Sequence, residues 1–115
     1  MRRIRFKGDA KNWVRTGDKL TTYRTNPHDG PYEIDNGSRY NPSPSGLVVH
    51  LTPLAEMSDC TMINEHYATE GPFASAGEFI TWLKKNHLKL PRRGWLNRID
   101  IISQREPEAT DKVRE

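Results

Sequence analysis

A chain of 115 residues is one domain's worth of sequence, and its 34% hydrophobic content and mean hydropathy of −0.86 allow a single modest core under polar loops. The formal net charge of +3, with a pI near 9.2, suits a polyanionic partner without requiring one. No apolar run approaches ~20 residues, which excludes a spanning helix, and the single Cys60 excludes an internal disulfide. His28, His50, His66 and His87 lack metal-ligand spacing, so neither a structural zinc nor a cofactor is expected. The first residues show no secretory-signal pattern, and a reducing, cytoplasmic compartment is the expectation.

Arg3-Ile4-Arg5-Phe6 alternates charged and apolar residues and predicts a first strand with Ile4 and Phe6 inward. Asp9 is placed to cap a short helix over Ala10–Thr16. Trp13 and Val14 dock that helix on the core, and Gly17 supplies its left-handed end. Thr21–Arg24, rich in Thr and Tyr, follows as a second strand. Alternation sets Thr22 and Arg24 on one face and Thr21 and Tyr23 on the other. Lys19 stands at the strand's mouth, where its stem can swing toward the Thr22 face. A cation, a hydroxyl and a guanidinium are therefore offered together. On spacing alone, a solvated strand edge fits the same residues.

Residues 25–45 hold Pro27, Gly30, Pro31, Gly37, Pro42 and Pro44, which predicts a long loop. Within it, Tyr32-Glu33-Ile34 suits a short extended piece and Asn36-Gly37 a turn. Arg39 and Tyr40 suit either of two roles, stacking on a flat ligand or tacking the loop down. Gly46–Thr52 is the best strand in the chain, its Leu47-Val48-Val49 run predicting burial on both faces and Pro53 its end. A helix over Cys60–Thr69 carries Met62, Ile63 and His66 on one face and stops at Gly71. Ser75-Ala76-Gly77-Glu78 is a capping box that opens another helix, packed through Phe79, Ile80, Trp82 and Leu83. Lys84 to Arg93 is strongly basic, as a solvated face or a phosphate grip would be. Trp95–Ser103 is a final strand. Residues 1–104 form the predicted domain, and 105–115 a charged, flexible tail. Several short strands with few helices predict an α+β fold, a small barrel with helices over its ends.

Three segments resemble the ASCH domain, a branch of the PUA-like β-barrel superfamily. Gly17-Asp18-Lys19 followed by Thr22 and Arg24 is similar to the family's Gly-x-Lys-Thr-x-Thr-x-Arg turn. Glu70-Gly71, Phe73, Ser75 and Glu78-Phe79 are similar to its Glu-Gly-Phe-x-Ser-x-x-Glu-Phe segment, and Ile99-Asp100-Ile101-Ile102 to its closing strand. Leu20 stands where the family often has Thr, and Pro72 is inserted before Phe73. The resemblance implies a PUA-like barrel with a cleft lined by Lys19, Thr22, Arg24 and Glu70. Some small single-domain family members hydrolyse the acetyl amide of N4-acetylcytidine with a Lys, a Thr and a Glu, and others bind or cleave RNA. That implies catalytic roles for Lys19, Thr22 and Glu70, with Arg24 as a substrate-binding residue and a nucleoside or RNA as partner; Arg39 and Tyr40, from the loop's own residues, are the further substrate-binding candidates. The alternative is a non-catalytic RNA-binding module or weak ribonuclease, using Lys84 to Arg93 with Tyr32 and Tyr40 as its surface. A third arrangement is an ion network of Lys19, Glu70 and Arg24 that only fixes helix to barrel.

Overall fold

The computed structural model describes residues 2–35 and 44–104. In chain order these form β1 (Arg2–Arg5), α1 (Ala10–Thr16), β2 (Thr21–Arg24), β3 (Gly30–Asp35), β4 (Pro44–Ser58), α2 (Asp59–Glu70), α3 (Ala76–Lys85) and β5 (Arg93–Gln104). The strands make one five-stranded sheet in the order β1-β3-β4-β5-β2. All neighbours are antiparallel except β1 with β3. The sheet curls, leaving β1 and β2 as unpaired edges bridged by a side chain: Arg24 Nη2 on β2 donates to the Arg5 carbonyl on β1 at 2.6 Å. The result is a small α+β domain with a barrel-like sheet and three helices. None of these helices is long and apolar enough to cross a membrane.

Two apolar clusters hold the domain together. Ile4, Tyr32, Ile34, Leu47, Val49, Leu51 and Ile99 fill the concave sheet under Val14 of α1. Tyr23 and Leu96 meet Met62 of α2 and Phe79 and Leu83 of α3 in the second. Burying each such side chain contributes roughly 1.5–3 kcal/mol. Ser75 caps α3 as expected, its Oγ accepting from Glu78 N at 3.2 Å, while Glu78 Oε1 reaches one residue past the cap and accepts from Ala74 N at 2.8 Å. Gly17 ends α1 at φ 85°, in the left-handed region.

Several expectations require correction. Pro53 does not end β4, which runs on to Ser58. The pairing with β5 shifts register between Pro53 and Ala55, and this bulge accommodates a residue with no N–H to donate. The Leu47-Val48-Val49 run alternates instead of burying both faces: Leu47 and Val49 are sealed, and Val48 is half-buried. Asp9 occupies the N-cap position in helical conformation and makes no side-chain cap bond. Its carbonyl accepts from Asn12 N and Trp13 N instead. Trp13 is half-buried and packs edge-on to Phe73 at 5.4 Å, outside both core clusters. Tyr32, expected on a binding surface, is a core residue with Arg2 stacked on it at 4.4 Å. Asn36-Gly37 and the tail lie outside the described residues.

Candidate functional site

The site forms where β2 begins, α2 ends and β1 runs out. The left-handed Gly17 turns the chain back under α1, and Lys19 N then donates to Trp13 O at 3.0 Å. Leu20 N donates to Thr69 O at 2.7 Å, and Ile99 N to Leu20 O at 2.9 Å. These bonds pin residues 19 and 20 between β5 and the last turn of α2. Glu70, the last residue of α2, therefore lies beside Lys19. Gly71 holds the close turn that follows, since a Cβ there would stand 2.7 Å from the Phe73 ring and 2.8 Å from Trp13.

Lys19 and Glu70 form a buried ion pair. Lys19 Nζ lies 2.8 Å from Glu70 Oε1 and 3.2 Å from the Glu70 carbonyl, and each residue is only 6% exposed. The second carboxylate oxygen accepts from Thr21 Oγ1 at 2.9 Å, and Thr21 Oγ1 lies 2.9 Å from Thr69 Oγ1. Burial pushes the Lys19 ammonium below its ordinary range. The Glu70 carboxylate opposes that shift by its charge and its hydrogen bond, and Arg24 adds to it. Burial likewise lowers Arg24, again against Glu70.

Thr22 and Arg24 form a second pair on the other face of β2. Arg24 Nε donates to Thr22 Oγ1 at 2.9 Å, while Nη2 reaches β1. Phe6, just beyond β1, faces both cations. Its ring centroid is 5.6 Å from Lys19 Nζ and 5.0 Å from Arg24 Cζ, within cation–π range. Both pairs line one cavity of about 260 Å³. Its apolar side is contributed by Phe79, Leu83, Leu88 and Leu90, and Lys7 and Lys89 also line it. The size suits one small ring system, near the lower limit for small-molecule sites.

Lys19, Thr22, Arg24 and Glu70 thus line one cavity, with two details unlike the anticipated network. Thr22 hydrogen-bonds to Arg24, not to Lys19 or Glu70. Arg24 makes no ion pair with Glu70. The anticipated three-residue ion network is therefore a Lys19–Glu70 pair plus a separate Arg24 bridge. Arg39 and Tyr40 lie outside the described residues. Thr21 went unrecognised because alternation places it away from Thr22, and only the end of α2 gives that face a carboxylate. Phe6 was legible as an inward residue, but its contact with two cations was not. Of the basic stretch, Lys89 lines the cavity, and it also lines, with Lys84 and Arg92, an adjoining groove between α2 and α3. Among the described residues, no group of three or more His, Cys, Asp or Glu could hold a metal ion.

No family model, curated protein or solved structure matches this chain.

Proposed function

We propose that the cavity binds a pyrimidine nucleoside and hydrolyses an acyl amide on its exocyclic nitrogen, as an ASCH-type domain with a PUA-like barrel. The observation that carries this reading is the buried Lys19–Glu70 pair, which lines an amphipathic cavity together with Thr22, Arg24 and Phe6. A planar base has an apolar wall and an aromatic edge to lie against. Its polar edge has a carboxylate, a hydroxyl and a guanidinium to meet.

In this reading Lys19 reacts as the free amine, the form that burial favours, and its nitrogen takes the Thr22 hydroxyl proton. Thr22 Oγ1 then bonds to the acyl carbon as the carbon–nitrogen bond breaks. The departing nitrogen regains a proton from Lys19, with Glu70 holding that amine in place. Water cleaves the resulting ester, releasing a carboxylic acid and restoring Thr22. The Arg24 Nε bond favours negative charge on Thr22 Oγ1 and fixes its position. The chemistry also requires a Thr22–Lys19 bond that the ligand-free geometry lacks, and such bonds often tighten only when substrate is bound.

Incubation with a panel of N4-acylated cytidines, read by mass, tests the proposal. Cytidine and the free acid are the expected products. Thr22→Ala should abolish turnover, and Thr22→Ser should restore part of it. Loss of the base in Lys19→Met should cost roughly 10²–10⁴-fold. The Thr22/Lys19 double variant should be little worse than the worse single one, because the residues act as a unit. Absence of turnover across the panel would overturn the catalytic reading.

One observation favours the second reading, an RNA-binding module. Lys7 and Lys89 continue the cavity lining with positive charge. In that case affinity for short RNAs falls steeply with salt, and Lys7→Glu with Lys89→Glu weakens binding across sequences. Salt-independent binding would argue against it.

A further inference from the structure

A second, open hollow of about 380 Å³ is lined by Arg3, Ile4, Arg5, Arg24, His28 and Asp35. Arg5 and Arg24 also line the first cavity, so the two hollows share a wall. Arg3 and Arg5 stand two apart on β1 and so project to one face of that strand, while Ile4 points into the core. His28 is fixed from β5, its backbone N donating to Asn97 Oδ1 at 2.9 Å. Its Nδ1 lies 2.8 Å from the Asn26 carbonyl, which can only accept, so Nδ1 carries the proton and Nε2 remains available. Arg24 spends Nε on Thr22 and Nη2 on Arg5, and its Nη1 makes no hydrogen bond among the described residues.

Charge in this hollow is one-sided. Among the described residues that line it, three guanidiniums and an imidazole face one carboxylate, that of Asp35, which is nearly buried and lies 3.6 Å from Arg5 Nη2. Planar guanidinium forks at the open seam of a sheet match the oxygens of a phosphate. The hollow is too polar and too open to favour an apolar ligand.

We infer that Arg3, Arg5, Arg24 and His28 form a phosphate subsite, and that the ligand of the neighbouring cavity is a nucleoside phosphate, not a free nucleoside. This inference rests on the nucleoside reading of the first cavity. Arg24 couples the two subsites, because the guanidinium that orders Thr22 also faces the phosphate. The phosphate is supplied either by a mononucleotide or by the backbone of a short RNA, and the chemistry recognised is the same.

Titration of the wild-type chain with cytidine, cytidine 5′-monophosphate, cytidine 3′-monophosphate and a short cytidine-containing RNA, followed by amide chemical shifts, tests the inference without requiring turnover. One or more phosphate-bearing ligands should bind roughly 10–100-fold more tightly than cytidine at low salt, the value of one or two charged hydrogen bonds. The advantage should shrink as salt rises. Arg3→Gln, an exposed substitution that leaves the first cavity intact, should remove most of the advantage and leave cytidine binding unchanged. A preference for the RNA over both monophosphates identifies the backbone as the source, and the reverse identifies a mononucleotide. Equal binding of cytidine and every phosphate-bearing ligand overturns the subsite and leaves the nucleoside cavity standing. A phosphate advantage that survives Arg3→Gln also overturns it. If none of the four ligands binds, the nucleoside reading falls and takes the subsite with it.

Discussion

Two ion pairs of almost equal length sit in this molecule. Lys19 and Glu70 meet at 2.8 Å, and Arg98 and Asp100 at 2.9 Å. The first pair is 6% exposed on each side, whereas the second is 55% and 53% exposed. Arg98 and Asp100 are two residues apart on β5, and water screens their charges. Lys19 and Glu70 come from elements 51 residues apart and have lost nearly all contact with water. Distance alone would make them equivalent, but desolvation separates them. A buried pair contributes little net stability relative to apolar residues of the same shape, yet leaves a large penalty when only one partner is removed. Keeping such a pair beside a cavity is reasonable if the charges are used there.

The largest effect is expected at Glu70. Glu70→Ala leaves a buried ammonium without its counter-charge, and should cost about 3–5 kcal/mol, a large share of the ~5–15 kcal/mol available to a domain. Chemical denaturation measures this directly. A loss below ~1 kcal/mol would mean that water reaches the pair and that the contrast with Arg98–Asp100 is only apparent.

The pH dependence sharpens the same contrast with a smaller effect. Burial holds folded Lys19 below its ordinary value of 10.5. Between these two values the unfolded chain carries a proton that the folded chain lacks, so stability rises with pH across that window. Tyr23 acts in the opposite sense. Its burial raises the phenol above 10.0, so from about pH 10 upward the unfolded chain loses that proton first and stability falls. Melting curves from neutral pH to pH 10 should therefore rise in the wild type and flatten in Lys19→Met. Equal slopes in the two proteins would contradict the assignment. The smallest effect is at the surface: Asp100→Asn should change stability by less than about 1 kcal/mol, and even less at high salt.

Much of the frame was legible because it is local. α1 over Ala10–Thr16 and β2 over Thr21–Arg24 follow from a glycine end, a Thr–Tyr run and alternation. The Ser75 cap is a four-residue signal, and its serine bond to Glu78 N formed. The errors fell where tertiary pairing overrode a local rule. Pro53 stays within β4 because β5 shifts register around it. Tyr32 lies in the apolar core instead of on a binding surface because β3 pairs between β1 and β4. The site shows the same division. Lys19, Thr22 and Arg24 are close in sequence, and their relation could be read from strand period. The bond from Thr21 to Glu70 and the bridge from Arg24 to Arg5 depend on how α2 and β1 return to β2, which no window of sequence contains.

The central claim is that the buried pair is maintained for the cavity and not for the fold. The double substitution Lys19→Met/Glu70→Leu tests it most directly, because it replaces both charges with apolar side chains of similar size. Its stability should stay within about 1 kcal/mol of wild type, as for other buried pairs exchanged whole. Amide shifts should then show that the intact, folded variant has lost cytidine binding. Retention of wild-type cytidine affinity by a folded variant would contradict the account and leave Lys19–Glu70 as a structural tie between β2 and α2.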